Sequence, residues 1–254
     1  MDFVVIIPAR YASTRLPGKP LLDVAGKPLI QHVYERGLSS GAREVIIATD
    51  DERIQQASLA FGASVCMTSS SHQSGTDRIA EVVAKQGYSS DQIIVNLQGD
   101  EPLIPISLLL QVANSLHQHS QASMATLCEP IATTQELFNP NVVKVVMDKL
   151  GYALYFSRAP IPWERDGGAS WGADDLTMEK PHYRHIGMYA YRASFLSEYS
   201  SWDACEVEIS EALEQLRALW HGHRIHVDIA QEKNPVGVDT PEDLEEARAI
   251  LSQQ

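Results

Sequence analysis

Cysteine is scarce in this 254-residue chain: Cys66, Cys128 and Cys205 are widely scattered and odd in number. That argues against a disulfide framework and a cysteine-built zinc cluster, and reads as reduced structural thiols in a cytoplasmic protein. Long apolar runs are missing too. No stretch approaches the ~20 residues that a membrane-spanning helix needs, so no membrane partner is expected. The first apolar run, Phe3–Ile7, lies between Asp2 and Arg10 and is expected to be a buried strand rather than a signal peptide. Cations are in deficit, with 20 Lys and Arg against 33 Asp and Glu and a net charge of −13. This argues against a nucleic-acid partner, which wants a broad basic surface. An anionic substrate must therefore be met by a local cationic cluster or a metal, not by the field of the whole molecule. Two familiar phosphate loops are also missing. A Walker loop wants Gly where Ser13 stands and Ser or Thr where Pro20 stands, and no G-x-G-x-x-G follows the first strand. There is no internal repeat or low-complexity tract.

What the chain does have is a cationic loop in an acidic protein. Residues 8–20 read Pro-Ala-Arg-Tyr-Ala-Ser-Thr-Arg-Leu-Pro-Gly-Lys-Pro directly after the first apolar run. Arg10, Arg15 and Lys19 thus gather at the end of a buried strand, in a segment stiffened by prolines. With a single glycine in the loop, side chains must do more of the anion binding than bare backbone amides. Arg10 and Arg15 offer planar forks suited to phosphate oxygens, and Lys19 a compact point charge. The loop is expected to be a phosphate clamp.

Strand and helix signals then alternate along a chain long enough for one large α/β domain. Strands are expected at Val4–Ile7, Val45–Ala48, Ser64–Met67, Ile93–Leu97, Met124–Leu127, Val142–Met147, Tyr152–Ser157, Gly187–Tyr191 and Ile225–Ile229. Helices are expected after Pro28, around Ile54–Phe61 behind the cap Thr49-Asp50-Asp51, through Ile79–Val83, and after Pro105. Thr240-Pro241-Glu242-Asp243 is a capped helix start. The pattern predicts an α/β fold with a mostly parallel sheet and an antiparallel excursion at 142–157. Segment 163–182 is polar and unpatterned, expected as a mobile loop near the site or a subunit contact.

In open α/β sheets ligands collect beyond the carboxyl ends of the strands. Gln98-Gly99-Asp100-Glu101 and Gly237-Val238-Asp239 occupy such places. Asp100 and Asp239 are hard oxygen donors of the kind Mg²⁺ takes alongside phosphate oxygens and water, although Asp239 reads equally as a turn residue beside a helix cap. Arg158, His185 and Tyr189 interrupt strand-like segments, as packing residues or as ligand contacts. Glu208, Glu211, Glu214 and Gln215 recur at helical spacing and are expected to share one face, solvated or functional.

Read together, these segments resemble a known family. The basic loop Ala9–Pro20 is joined by Ser74-Gly75-Thr76-Asp77-Arg78, Asn96–Pro102, Phe138–Asn141, Tyr155–Arg158, Arg184-His185-Ile186-Gly187-Met188-Tyr189, Leu213–Arg217 and Val238–Asp243. In that order they look like the 3-deoxy-manno-octulosonate (Kdo) cytidylyltransferases, enzymes of bacterial lipopolysaccharide biosynthesis within the sugar nucleotidyltransferase group. The basic loop alone points only to the wider group; the R-H-I-G-M-Y and L-E-Q-L-R segments narrow it to Kdo. The resemblance implies one domain over 1–254 of nucleotide-diphospho-sugar transferase type, with a Rossmann-like nucleotide half. A smaller region, about 140–195, would contribute sugar contacts and dimerisation in a cytoplasmic homodimer. It implies CTP and Kdo as substrates and Mg²⁺ as cofactor. Arg10, Arg15 and Lys19 would hold the triphosphate, with Lys19, Arg10 and Asp100 catalytic. Ser74, Gly75 and Arg78 would lie near the cytosine or ribose. Asp100 and Asp239 would carry the metal, and Gln98, Arg158, His185, Tyr189, Glu211 and Gln215 would surround the sugar. Cytidylyltransferases for other keto sugar acids and metal-dependent glycosyltransferases are the rival enzyme readings, and a nucleotide-sensing module the non-enzymatic one.

Overall fold

A computed structural model describes residues 1–12, 16–72, 74–165, 181–235 and 237–253. In chain order the strands are β1 (Phe3–Ala9), β2 (Asp23–Val24), β3 (Lys27–Pro28), β4 (Glu44–Thr49), β5 (Ser64–Met67), β6 (Ile93–Asn96), β7 (Met124–Pro130), β8 (Lys144–Met147), β9 (Ala153–Ser157), β10 (Tyr183–Arg192) and β11 (Ile225–Ile229). The helices are α1 (Leu29–Ser39), α2 (Glu52–Ala60), α3 (Gly75–Gln86), α4 (Ile106–Gln118), α5 (Thr134–Phe138), α6 (Ala193–Tyr199), α7 (Glu206–Glu211), α8 (Gln215–Trp220) and α9 (Pro241–Leu251). The main sheet runs β11-β7-β10-β6-β1-β4-β5, with the β8–β9 hairpin attached through β10. Along that path only β10 is antiparallel to its neighbours. The carboxyl ends of β1, β6, β7 and β11 therefore open on one side of the molecule.

Alternation along β1 explains the layers. Val5 and Ile7 join Ile30, Val33, Leu108 and Leu109 of α1 and α4 in one core cluster. Val4 and Ile6 face the other way and join Ile79, Val82 and Val83 of α3 with Phe195 and Leu196 of α6. A strand whose successive residues point to opposite faces can be apolar throughout only when both faces are covered. A third, smaller cluster sets Leu244 and Ala247 of α9 against Leu16, Val24 and Leu29, with Val238 between them. This apolar contact brings the C-terminal helix beside the basic loop.

Most expected elements are present, and the main differences are these. The strand expected at Gly187–Tyr191 extends over Tyr183–Arg192 and carries a register shift against β7 between His185 and Tyr189. Gly187, at φ 85°, takes the left-handed turn inside that irregularity. Glu208, Glu211, Glu214 and Gln215 do not share one helical face. Helix α7 ends at Glu211, Ala212 adopts φ 51°, and α8 starts anew at Gln215. Helices α5 and α6 and the β2–β3 hairpin have no counterpart in the sequence pattern. The segment 163–182 lies outside the described residues over 166–180, as does Arg15.

Candidate active site

Three loops from distant parts of the chain converge on one ammonium group. Lys19 begins a single 3₁₀ turn after Gly18, whose φ of 68° closes the basic loop. The Lys19 Nζ donates to Asp100 Oδ2 at 2.7 Å and to Asp239 Oδ1 at 2.9 Å. Gly99 lets the second loop seat tightly against β1, since a Cβ there would stand 2.9 Å from the Pro8 carbonyl oxygen. The third loop is tied to the second by the Val238 amide, which donates to the Asp100 carbonyl at 2.8 Å. It is also fixed to α9, where Thr240 and Asp243 form a capping box and the Asp239 amide donates to Asp243 Oδ2. Burial opposes the charge on Lys19, but the two carboxylates outweigh it and raise its pKa. Beside them, burial and the Asp100 charge push the Glu101 carboxyl up to about 7.

The donor chemistry around Asp100 and Asp239 suits a hard divalent cation. Two carboxylates already share one cationic centre, and Mg²⁺ is bound through one or two carboxylates with substrate phosphates and water completing its shell. Among the described residues no group of three or more His, Cys, Asp or Glu is disposed to hold a metal, so a cage built from protein alone is not on offer.

Arg10 closes the other side of the cleft. Its Nη2 donates to the carbonyls of His72 at 2.7 Å and Ser74 at 3.0 Å. Ser74 in turn caps α3, accepting from the Asp77 amide at 3.0 Å. The N-terminus of this helix, with Gly75 in its first turn, faces the same cleft, a placement that favours anions. Glu81, farther along α3, holds the 69–72 segment by accepting from the Ser69 amide and bonding the His72 ring, while Lys85 pairs with it.

Two cavities meet here. The first, about 440 Å³, is lined by Arg10, Lys19, Ser74, Asp100 and Asp239 among others. The second, about 370 Å³, is lined by His185, Tyr189, Tyr191, Asn96 and Gln215 among others. Gly75, Gln98 and Glu214 line both, so a ligand in one touches the wall of the other. Buried Asn96 Oδ1 and Gln215 Nε2 lack hydrogen-bond partners among the described residues. Orphaned polar atoms in a cavity wall call for a polar occupant.

Of the residues singled out from the sequence, the structure brings Arg10, Lys19, Ser74, Gly75, Gln98, Asp100 and Asp239 to the first cavity, and Gln98, His185, Tyr189 and Gln215 to the second. Three others are committed elsewhere. Arg78 is fully buried against Asp50, at 3.1 Å, and Thr68. Arg158 donates to the carbonyls of Pro140, Glu211 and Ala212. Glu211 accepts from the Ser157 hydroxyl at 2.6 Å and the Arg158 amide at 2.9 Å. Neither Arg158 nor Glu211 lines either cavity. The acid that does is Glu214, three residues on, accepting from the Thr76 hydroxyl at 3.2 Å. Its environment raises its pKa, chiefly by desolvation, although the side chain reaches solvent in the cleft. Glu214 lies in the L-E-Q-L-R segment, but helical spacing alone gives no reason to prefer it.

Comparison with known proteins bears on this arrangement. A family profile described as Cytidylyltransferase matches residues 4–225. The chain is 59% identical over 251 residues to the 3-deoxy-manno-octulosonate cytidylyltransferase of Coxiella burnetii (strain Dugway 5J108-111), covering 99% of this chain and 100% of that one. It is 59% identical over 254 residues to the protein of the same name from Vibrio cholerae serotype O1 (strain M66-2), covering 100% and 99%. Among solved structures, a CMP:2-keto-3-deoxy-manno-octonic acid synthetase complexed with CTP superposes with a TM-score of 0.88 at 44% identity, over 100% of this chain and 99% of that one. A 4-diphosphocytidyl-2C-methyl-D-erythritol synthase, at 14% identity and a TM-score of 0.62, shares the fold over 98% of each chain.

Proposed function

This chain belongs to the 3-deoxy-manno-octulosonate cytidylyltransferases, and we propose that it performs their reaction: CMP passes from CTP to Kdo, giving CMP-Kdo and pyrophosphate and activating the sugar for lipopolysaccharide assembly. The observation that carries the reading is the junction of the two cavities at Gly75, Gln98 and Glu214. A triphosphate in the basic cavity and a sugar acid in the other would meet there, with the anomeric hydroxyl on C2 of Kdo facing the α-phosphorus.

The hydroxyl attacks in line, its oxygen bonding to the α-phosphorus as the bond to the β-phosphate oxygen breaks, and its proton is released to water. Catalysis of this kind is mostly positioning and charge neutralisation. Arg10 and Lys19 counter the charge that builds on the leaving pyrophosphate. Asp100 and Asp239 would hold Mg²⁺, which when bound supplies Lewis acidity toward the α-phosphate and the attacking hydroxyl. Ser74 and Gly75 place the helix α3 terminus against the nucleotide, while Gln98, Tyr189, Gln215 and Glu214 orient the sugar. The three cysteines are free and buried, which supports action in the reducing cytoplasm. Among the described residues no helix is long and apolar enough to cross a membrane.

We also propose that the region 140–195 contacts a second copy. Strand β9 pairs only with β8 among the described strands, and it presents Leu154 at 62% exposure. An edge strand with an exposed large apolar residue is a pairing surface unless covered. Sedimentation should therefore give a dimer for the native chain and a shift toward monomer for Leu154→Lys; a monomeric native chain would refute it.

The substrate assignment is tested by pyrophosphate release with Mg²⁺ across CTP, UTP and ATP, each paired with Kdo or a sialic acid. CTP with Kdo should dominate, because a site shaped for a pyrimidine excludes purines and leaves its own polar groups unpaired against the wrong base. Equal rates with ATP, or binding of CTP without turnover of Kdo, would overturn it.

A further inference from the structure

The geometry points to Thr126 as a positioning residue for the sugar cavity: its hydroxyl fixes the tautomer of His185, so that the imidazole offers the sugar a lone pair rather than an N–H. The inference rests on the reading of the second cavity as the sugar site, and it adds which hydrogen-bonding group that site presents.

Thr126 lies in the middle of β7 and is fully buried. Its Oγ1 is 2.6 Å from the Met188 carbonyl oxygen and 2.9 Å from His185 Nε2. A hydroxyl has one proton, and a carbonyl oxygen can only accept. The Thr126 proton is therefore directed to Met188, and toward His185 its oxygen can only accept. Nε2 must carry the ring proton. In the neutral imidazole that leaves Nδ1 bare, and among the described residues no hydrogen-bond partner satisfies it. Neutrality is supported by burial, which pushes the His185 pKa down to about 3. The ring is flanked by Phe156 and Tyr189, with centroids 5.0 and 5.2 Å away, and neither brings a charge.

The irregular stretch of β10 makes this possible. Between His185 and Tyr189 the register against β7 shifts, and Gly187 turns the backbone at φ 85°. Across this interval the Met188 carbonyl meets the Thr126 side chain. The same stretch leaves His185 in the wall of the 370 Å³ cavity with Nε2 turned to Thr126. An unpaired acceptor in a cavity wall selects for a donor. A sugar hydroxyl satisfies Nδ1, whereas a methyl ether or an acyl carbonyl at the same place leaves two lone pairs opposed, a mismatch that binding sites reject strongly. Thr126 thus acts on specificity without touching the substrate, through the orientation and proton of its neighbour.

The experiment is long-range ¹H–¹⁵N correlation of the ligand-free protein at pH 7, with His185 assigned through His185→Gln. The native chain should show the Nε2–H tautomer. Thr126→Val, which keeps the shape and removes the acceptor, should lose that preference and raise KM for Kdo roughly tenfold, the scale of one hydrogen bond. KM for CTP should stay within about twofold, because His185 lines the second cavity and not the basic one. Thr126→Ser should behave as the native chain. An Nδ1–H tautomer or an imidazolium in the native spectrum would overturn the inference, as would Val and Ser variants that are equally impaired. A native chain with the Nε2–H signature but no turnover of Kdo would instead overturn the substrate assignment and leave the tautomer standing.

Discussion

Glu211 and Glu214 sit three residues apart and do opposite work. Glu211 accepts from Ser157 and the Arg158 amide and holds the end of β9 against α7; Glu214 looks into both cavities. Glu211→Ala should cost about 1–3 kcal/mol of stability, because it strands the donors that the carboxylate satisfies. Its turnover per folded molecule should change little. Glu214→Gln should leave the unfolding midpoint nearly unchanged, since the side chain is exposed to the cleft, and should lower kcat/KM for Kdo by a factor of ten or more on the order of one charged hydrogen bond. Denaturant unfolding and steady-state kinetics on both variants separate the two roles. If Glu211→Ala lost activity without losing stability, the division drawn here would be reversed. Nothing in the residue types distinguishes the pair, because a carboxylate that holds backbone and one that faces a ligand look alike in sequence.

Helix α3 connects the N-terminal clamp to the fold through the segment before it. Glu81 organises that segment from below, through the Ser69 amide at 2.8 Å, the His72 ring and Lys85, and the carbonyls of His72 and Ser74 in turn anchor Arg10. Burial works against the Glu81 charge, but these donors outweigh it and hold its pKa near about 2, against 4.5 for a free glutamate. An acid with a depressed folded pKa stabilises fully above its unfolded value, and that stabilisation fades as pH falls through the folded one. The native chain should therefore lose stability between about pH 4.5 and about pH 2 through this group. Glu81→Gln should lack that segment of the pH curve and should raise KM for CTP through a loosened Arg10. Unfolding free energies measured against pH for both chains check it, and parallel curves would dissociate Glu81 from the clamp. Elements of this kind differ in how openly the sequence declares them. Strands β5 and β11 have the bounds their apolar patterns predict, and α9 starts where Thr240, Pro241 and Asp243 place it. The break between α7 and α8 was hidden because Ala212 carries it, with no Gly or Pro to mark the left-handed turn. The sequence pattern predicts a shorter β10 because Arg184, His185 and the kink at Gly187 interrupt its alternation. The resemblance places Arg78 and Arg158 near the ligands, whereas the partners that hold their side chains, Thr68, Asp50, Pro140 and Ala212, come together only in three dimensions.

At the scale of the whole molecule, the candidate catalytic centre is a junction of chain segments separated by 81 and 220 positions from Lys19. Sheet topology explains why they meet: β1 and β6 are parallel neighbours, so the loops after them leave on the same side. The C-terminal segment is brought to the same place by α9, whose apolar face packs on Leu16, Val24 and Leu29. Asp100 and Asp239 then face one cation together, and they should behave as one unit. Either Asp→Asn change removes a charge and a hard donor while preserving shape, so each single variant should lose turnover by a factor of at least about a hundred, the loss falling on kcat more than on KM for CTP. The double variant should be little worse than either single, because a centre that needs both carboxylates is already disabled when one is gone. Chelation of divalent cations should abolish turnover of the native chain and add nothing to the loss in the variants. A double-mutant cycle on pyrophosphate release at saturating Mg²⁺ measures this directly. If Asp239→Asn kept most of its activity while Asp100→Asn lost it, the two carboxylates would not share a cation during turnover, and Asp239 would be a helix-start residue held near Lys19 by α9 alone.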